Sequence, residues 1–282
     1  MSNESDNQKY AWAQSILNKI KGFWPWYKSL YKGRPWYIKT AAAIASLIVA
    51  FFLYLGAVDI NFLWLFGKSP SMSTIKNKRP AEASMIYSAD GKTIGKFFSE
   101  NRTPVTYEEV NPVFWKALID TEDERFYHHH GIDYTAFAAV AKEYILHRYA
   151  RGASTITQQL AKNLFRTRSE YSTGFLGYIP GIKMLIMKSK EWITAYKLEF
   201  FFTKNEILTQ YANTVDFGSN AFGIKTACKT YFNCKPQDLT AENAAILVGM
   251  LKATTYYNPL INPENSLKRR TSCSTSCDST AT

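Results

Sequence analysis

Two adjacent carboxylates and three consecutive histidines stand together in the stretch Thr121–Asp133, TEDERFYHHHGID. These residue types could bind a metal, transfer a proton or form a solvated turn. Successive side chains point about 100° apart on a helix and to opposite faces on a strand, so three adjacent histidines do not converge on one metal. The sequence also lacks the HExxH pattern of zinc sites. We therefore predict no metal site here, and we expect one histidine to hold the loop by hydrogen bonds.

Glu122 and Asp123 are the more informative pair. After Pro112, apolar residues recur at helical spacing as far as Thr121, which places both acids at the C-terminal end of a predicted helix. The helix dipole disfavours negative charge there. A local rule that is broken at a charged position indicates function rather than stability. Glu122 lies among aromatic residues and is a candidate general base, although these residues alone leave a solvated surface pair open.

Three further segments carry the rest of a larger pattern. They are GASTITQQLAKN (residues 152–163), MKSKE (187–191) and KNEILTQYANTVDFG (204–218). Together with EDERFYHHHG, in this order and spacing, they resemble the motifs of the peptidoglycan glycosyltransferases (glycosyltransferase family 51). That family forms the polymerase domain of class A penicillin-binding proteins. The resemblance covers about residues 80–270.

The resemblance implies a mainly α, lysozyme-like, two-lobed domain with a small β-hairpin, which polymerises lipid II. Glu122 would take the proton from the acceptor 4-hydroxyl, whose oxygen attacks the donor anomeric carbon with inversion. Cations would neutralise the leaving pyrophosphate, and Glu191 is the second catalytic carboxylate, with an organising role. The residues implied to bind substrate are Asp123, Phe126, His129, Ser154, Thr155, Gln158, Gln159, Lys162, Asn163, Lys188, Tyr211 and Asn213.

One position departs from the family pattern. Met187 stands where the third motif has Arg, so one family cation is missing. The candidates to replace it are Lys183, Lys190, Arg166 and Arg168. Reduced activity is the alternative outcome of this departure.

The last twelve residues, TSCSTSCDSTAT (271–282), differ sharply from the domain before them. They contain little that can be buried, which predicts disorder. The abrupt change after Arg270 favours a truncated or frame-shifted product, and a natural tail is the alternative. The two Ser-x-x-Lys matches precede the domain and have no accompanying Lys-Thr-Gly, so we expect no transpeptidase domain in this chain.

Cys228 and Cys234 have five residues between them. This spacing matches no common metal pattern. In an oxidising compartment a disulfide is one reading, and two ordinary cysteines are the other.

The elements that must position these motifs are mostly helices. The dipeptide Asp90-Gly91 between two alternating runs predicts a β-hairpin. Asp133 is expected to cap a helix that runs to about Tyr149, and Ser154 to cap the next one. Longer helical patterns cover residues 183–202, 205–212 and 240–251.

An apolar run precedes the domain. The segment Thr40–Val58 is uncharged and almost wholly apolar, and at about 1.5 Å per residue it spans a ~30 Å hydrocarbon core. Residues 1–40 hold seven basic and two acidic residues. The positive-inside rule therefore places the N-terminus in the cytoplasm and the domain outside. We expect a single-pass protein of the bacterial cytoplasmic membrane, with a periplasmic or extracellular catalytic domain.

The predicted layout follows from these boundaries. It consists of a basic cytoplasmic tail (1–39), a transmembrane helix (40–58), a juxtamembrane linker (59–80), the glycosyltransferase domain (81–270) and the tail (271–282).

The expected partners are lipid II, the growing glycan strand and membrane lipid, which the apolar segment 166–182 would touch. The resemblance assigns no metal-ligating residue, and it leaves open a divalent cation such as Mg²⁺ at the pyrophosphate and other cell-wall synthesis proteins. The net charge of +11 fits any anionic partner, but the outward orientation argues against nucleic acid.

Two rival functions remain at this point. One is a glycan-cleaving enzyme of the same lysozyme-like fold. The other is a catalytically impaired scaffold of a cell-wall synthesis complex. Met187 and the tail favour it, and intact Glu122, Lys162 and Glu191 disfavour it.

Overall fold

The computed structural model describes residues 14, 18, 21–29, 31–77, 84–97, 103–146, 152, 154–167 and 173–279. The chain divides into two compact units, Met1–Ala57 and Val58–Thr282. Residues 21–29 of the first unit are helical, and helix α1 (Trp36–Asp59) follows them.

Helix α1 contains the predicted membrane span. It has 24 residues and is long and apolar enough to cross a bilayer. The residues after it do not extend it, because Asn61 takes a left-handed conformation with φ of 53°. A single 3-10 turn, Phe62–Trp64, follows that break.

The described part of the second unit is mainly helical, as predicted. Strands β1 (Ser84–Tyr87) and β2 (Thr93–Phe97) pair antiparallel and form the predicted hairpin. The helices are α2 (Met72–Asn77), α3 (Pro112–Glu122), α4 (Tyr134–Ile145), α5 (Ile156–Leu164), α6 (Ile182–Phe201), α7 (Lys204–Thr214), α8 (Ile224–Phe232), α9 (Ala241–Met250) and α10 (Pro263–Ser279).

Helix α5 packs against α6 and α7, while α9 packs against α3 and α10. The facing side chains are apolar and form one continuous core, which includes Phe114, Leu118, Ile156, Leu160, Leu198, Ile207 and Leu247. Burial of these side chains, at about 25 cal/mol per Å² of apolar surface, is the main force that holds the helices together.

Helix caps set the boundaries near the motifs. Asp133 caps α4 as predicted, since its Oδ1 accepts from the backbone N–H of Thr135 (2.9 Å) and Ala136 (3.1 Å). The predicted cap at Ser154 is wrong. Thr155 is the N-cap of α5 and accepts from the Gln158 N–H at 3.2 Å. The predicted end of α4 near residue 149 lies outside the described residues.

The predicted disorder of the tail does not agree with helix α10, which continues to Ser279. Cys273 is 1% exposed, and a Cβ on Gly249 would lie 3.7 Å from its Sγ. The hydroxyl groups of Thr271 and Ser272 donate to carbonyls one turn back, at 3.2 and 3.3 Å. A hydroxyl-rich sequence can therefore stay helical where one face packs against the core. Residues 280–282 lie outside the described part.

The segment after α1 packs on α6. Lys190 is fully buried and its Nζ donates to the Lys68 carbonyl oxygen at 2.7 Å. Lys197 forms an ion pair with Asp59. The Leu65 carbonyl accepts from the Leu176 N–H at 3.0 Å. Residues 59–70 are therefore held by polar contacts of Lys190 and Lys197 and by one backbone hydrogen bond.

The buried lysine predicts a pH dependence of stability. Burial lowers the pKa of Lys190 to about 8, whereas an unfolded lysine titrates near ~10.4. Between these two values the unfolded chain binds more protons, so the contribution of Lys190 to the free energy of unfolding rises with pH. Relative to Lys190→Met, wild type should gain about 3 kcal/mol between about pH 7.5 and 10.5. Denaturant titrations of both proteins at several pH values measure this difference, and a difference that does not change with pH contradicts the prediction.

Candidate active site

Glu122 is the last residue of α3, and its side chain is partly exposed. Gln159 on α5 donates from Nε2 to Glu122 Oε2 at 2.8 Å. Tyr211 on α7 donates from its hydroxyl to Gln159 Oε1 at 2.9 Å. Burial, and next the charge of Glu122, raise the pKa of Tyr211, so this hydroxyl keeps its proton. A chain of hydrogen bonds from the core thus orients the Glu122 carboxylate.

Asp123 and His129 form a buried pair directly behind Glu122. They are 8% and 6% exposed, and His129 Nε2 lies 2.9 and 3.1 Å from the two Asp123 carboxylate oxygens. Asp123 Oδ2 also accepts from the backbone N–H of Ile156, the first residue of α5, at 2.9 Å. Negative charge is favoured at a helix N-terminus, so Asp123 joins the histidine loop to the start of α5.

Phe126 is fully buried, and Lys204 lies over it with Nζ 4.4 Å from the ring centroid. Lys204 also donates to the His129 carbonyl at 2.7 Å and pairs with Glu199 at 2.8 Å. Thr157 donates to Glu199 at 2.6 Å. The sequence reasoning missed Glu199. One indication of Glu199 was present in the sequence, which is that it follows Glu191 by eight residues. Eight residues are slightly more than two helical turns, so both acids lie near one face of α6.

Gly131 closes the first motif. Its carbonyl oxygen accepts from Thr155 Oγ1 at 2.7 Å and from Gln158 Nε2 at 3.1 Å. Its φ is +84°, and a Cβ would lie 3.0 Å from the carbonyl carbon and oxygen of Ala195. Both the backbone conformation and the space therefore require glycine.

Gly131→Ala should lower the free energy of unfolding by about 2 kcal/mol or more, because alanine is strained at this φ and clashes with backbone. The control is Gly152→Ala, where an added Cβ meets nothing within 4 Å. Denaturant unfolding of both variants checks this. Equal stability of the two variants would contradict the tight packing of the loop on α6.

A second charged group lies on α6. Lys188 Nζ is 2.7 Å from Glu191 Oε2 and donates to Ser154 Oγ at 3.2 Å. The Lys188 side chain is 30% exposed and that of Glu191 1%. Glu191 therefore orients a cation that reaches solvent, and it is shielded from solvent itself.

Helix α5 connects the two groups. Ser154 contacts Lys188, and Gln159, five residues further, contacts Glu122. Ser154 lies two residues before the first residue of α5, and Gln159 lies within the helix. Lys162 is partly exposed and follows Gln159 by three residues, so it lies on the same helical face.

The predicted site residues fall into two groups by exposure. Those that reach solvent are Glu122, Ser154, Gln159, Lys162, Asn163 and Lys188. Those that are buried are Asp123, Phe126, His129, Thr155, Gln158, Glu191, Tyr211 and Asn213. Asn213, for example, bonds both the N–H and the carbonyl of Val105 at 2.9 Å. Buried residues hold exposed ones in place, as Tyr211 does for Gln159. Direct contact of the buried residues with substrate stays a prediction.

The position of the missing family arginine is also buried, since Met187 is 8% exposed. Of the candidate replacements, Lys190 is buried against the Lys68 carbonyl. Lys183 and Arg166 are exposed, and residue 168 lies outside the described part.

Comparisons with known proteins agree with the motifs. The sequence profile of the family described as Transglycosylase matches residues 90–277. Penicillin-binding protein 1A of Escherichia coli (strain K12) is 35% identical over 221 residues, which are 77% of this chain and 24% of that protein. Penicillin-binding protein 1A of Neisseria meningitidis (serogroup A, strain Z2491) is 35% identical over 227 residues, or 80% of this chain and 27% of that protein.

The chain thus spans about a quarter of the length of these curated relatives. A crystal structure of penicillin-binding protein 1A from Haemophilus influenzae covers 70% of this chain and 18% of its own, at 21% identity and a TM-score of 0.36. That score is too low to bear on the fold. Because the family profile matches well over half of the residues, this chain belongs to the transglycosylase family.

Proposed function

We propose that this chain is a peptidoglycan glycosyltransferase, which polymerises lipid II into glycan strands and releases undecaprenyl pyrophosphate. Family membership supports the reaction class. The observation that carries the proposal is the arrangement around the segment 154–159, in which Ser154 contacts an oriented cation and Gln159 contacts an oriented carboxylate.

Glu122 is the general base of the proposed reaction. Its carboxylate accepts the proton of the acceptor 4-hydroxyl while that oxygen bonds to the donor anomeric carbon. The bond from this carbon to the pyrophosphate breaks on the opposite face, and the configuration inverts from α to β. Gln159 fixes one carboxylate oxygen and thereby the direction in which the base faces.

The leaving group departs as a pyrophosphate anion and needs charge neutralisation rather than a proton. Lys188 and Lys162 supply positive charge at the exposed face, and such preorganised groups lower the barrier where charge develops. Glu191 acts as a positioning residue for Lys188 rather than as a group that touches substrate, because it is 1% exposed.

A metal ion fits this site poorly without substrate. Within the described ranges, no three His, Cys, Asp or Glu side chains group to hold one. The Glu191 carboxylate has its Oε2 against the Lys188 ammonium. Mg²⁺ prefers several oxygen ligands, so the protein residues assigned here do not provide its site.

The location follows from α1. Its length and apolar character support a single span of the bacterial cytoplasmic membrane. The basic N-terminal flank supports an inward N-terminus and an outward catalytic domain. Exposed Phe175 (70%) and Tyr178 (87%) support contact of the neighbouring turn with lipid. A lipid-linked donor would meet the site at this surface.

Incubation of the full chain in detergent micelles with labelled lipid II tests the proposal. We expect a ladder of glycan strands on a gel together with free undecaprenyl pyrophosphate. Shortening of added peptidoglycan, with lipid II left intact, would indicate the glycan-cleaving alternative. Binding of lipid II without turnover by a folded chain would indicate the scaffold.

A further inference from the structure

Two cysteines face each other at the end of helix α8. Cys228 lies in α8, and Asn233 directly after the helix has a left-handed φ of 51° that turns the chain back. The Cys234 N–H then donates to the Cys228 carbonyl at 3.4 Å. This backbone contact brings the two cysteines to the same end of α8. Side chains six positions apart thus meet because the helix ends between them.

The two thiols differ in access to solvent. Cys228 is fully buried. Cys234 is partly exposed and lines an open groove of about 1000 Å³, together with Lys225, Lys229 and Lys235. A dissolved oxidant therefore reaches Cys234 and not Cys228.

We propose that Cys228 and Cys234 form an intramolecular disulfide, which ties the end of α8 to the segment that follows it. The proposal rests on the outward placement of the domain argued above, because disulfides persist in oxidising compartments. The oxidant is a disulfide-bonded thiol compound, either small or a protein.

The exchange proceeds in two balanced steps. The Cys234 thiolate attacks one sulfur of the oxidant, the oxidant's S–S bond breaks, and one thiol leaves. Cys228 then gives up its proton and attacks the Cys234 sulfur, and the second thiol leaves. Two cysteine thiols are oxidised and one disulfide is reduced to two thiols. Burial raises the pKa of the Cys228 thiol, so ring closure is the slow step.

The bond would reinforce a connection that leads towards Glu122. The segment after Cys234 contains Pro236, whose carbonyl accepts from the Asn111 N–H at 3.1 Å. Asn111 Nδ2 donates to the Gln237 carbonyl at 3.0 Å, and Asn111 is the N-cap of α3. Closing so short a loop should raise Tm by about 5 °C.

Peptide mapping under non-reducing conditions tests the proposal. Cells that produce the full chain are acid-quenched, alkylated with iodoacetamide and digested with trypsin. Cleavage after Lys225, Lys229 and Lys252 places the two cysteines on separate peptides. The second peptide runs to Lys252 because trypsin does not cut between Lys235 and Pro236. We expect peptides 226–229 and 230–252 to remain joined until a reductant is added. Cys234→Ser should abolish the joined species, and Cys273→Ser should leave it unchanged.

Alkylated Cys228 and Cys234 on separate peptides would overturn the proposal. A second arm locates the failure, in which purified, reduced full chain is treated with oxidised glutathione. If the joined peptides are absent there too, the inferred thiol geometry is wrong. If they form there but not in cells, the outward placement is wrong. The lipid II assay judges the transferase activity separately in either case.

Discussion

Glu122→Gln should lower the rate of lipid II polymerisation by about 10³-fold, because general bases contribute roughly 10²–10⁴. The amide has the same shape and can keep a hydrogen bond with Gln159, but it cannot accept the proton of the acceptor hydroxyl. Lipid II binding should change little, since the loss affects the chemical step. Initial rates at saturating lipid II, measured with a binding curve for each protein, give both quantities.

The matched control for this variant is Glu124→Gln. Glu124 is exposed and lies two residues further along the chain, so it carries the same charge without the contacts on α5. Its rate should stay within about twofold of wild type. A Glu122→Gln protein that is folded and polymerises as fast as the control would remove Glu122 from the mechanism.

Lys188→Met should lower the same rate by about 10²-fold, because one preorganised group that stabilises developing charge is typically worth that much. The variant should also be less stable. It removes the ion pair between Lys188 and the buried Glu191 carboxylate, at a cost of about 3 kcal/mol.

The lower rate of Lys188→Met has two possible causes, lost stability and lost positive charge, and further variants separate them. The double variant Lys188→Met with Glu191→Gln should regain most of the stability and none of the rate. Lys229→Met, at an exposed position on α8 that has no assigned role in the site, should leave both near wild type. A double variant that recovers full activity would show that Lys188 is structural and does not receive the pyrophosphate.

Much of the helical framework follows from sequence patterns, since caps and apolar spacing are local. Pro112 and Asn111 begin α3, and Thr240 caps α9, next to where the pattern placed that helix. Thr155 rather than Ser154 caps α5, because the side chain that reaches the first turn depends on the backbone angle at that residue. That angle is held by the contact of Thr155 with the Gly131 carbonyl.

The motifs indicated which residues belong together, but they did not indicate which ones meet solvent. The family resemblance assigns Asp123 and His129 to substrate binding and gives Glu191 an organising role. In the structure each of them has a partner inside the protein. Asp123 contacts His129 and the backbone N–H of Ile156, and Glu191 contacts Lys188. Burial of a polar group depends on such tertiary partners, which one sequence does not show.

The tail illustrates the same limit. Its composition alone predicts disorder, because serine and threonine provide little apolar surface. Cys273 nevertheless lies against Gly249 on α9. A glycine on α9 leaves room for the last helix, and that pairing of two distant positions cannot be read from either segment.

The configuration of the newly formed glycosidic bond tests most directly whether Glu122 acts as a base in a single displacement. Polymer made by the full chain from lipid II can be analysed by NMR, and the protein by intact mass. We expect only β linkages, free undecaprenyl pyrophosphate and an unmodified Glu122. Retained α linkages, or a sugar covalently attached to Glu122, would contradict this mechanism.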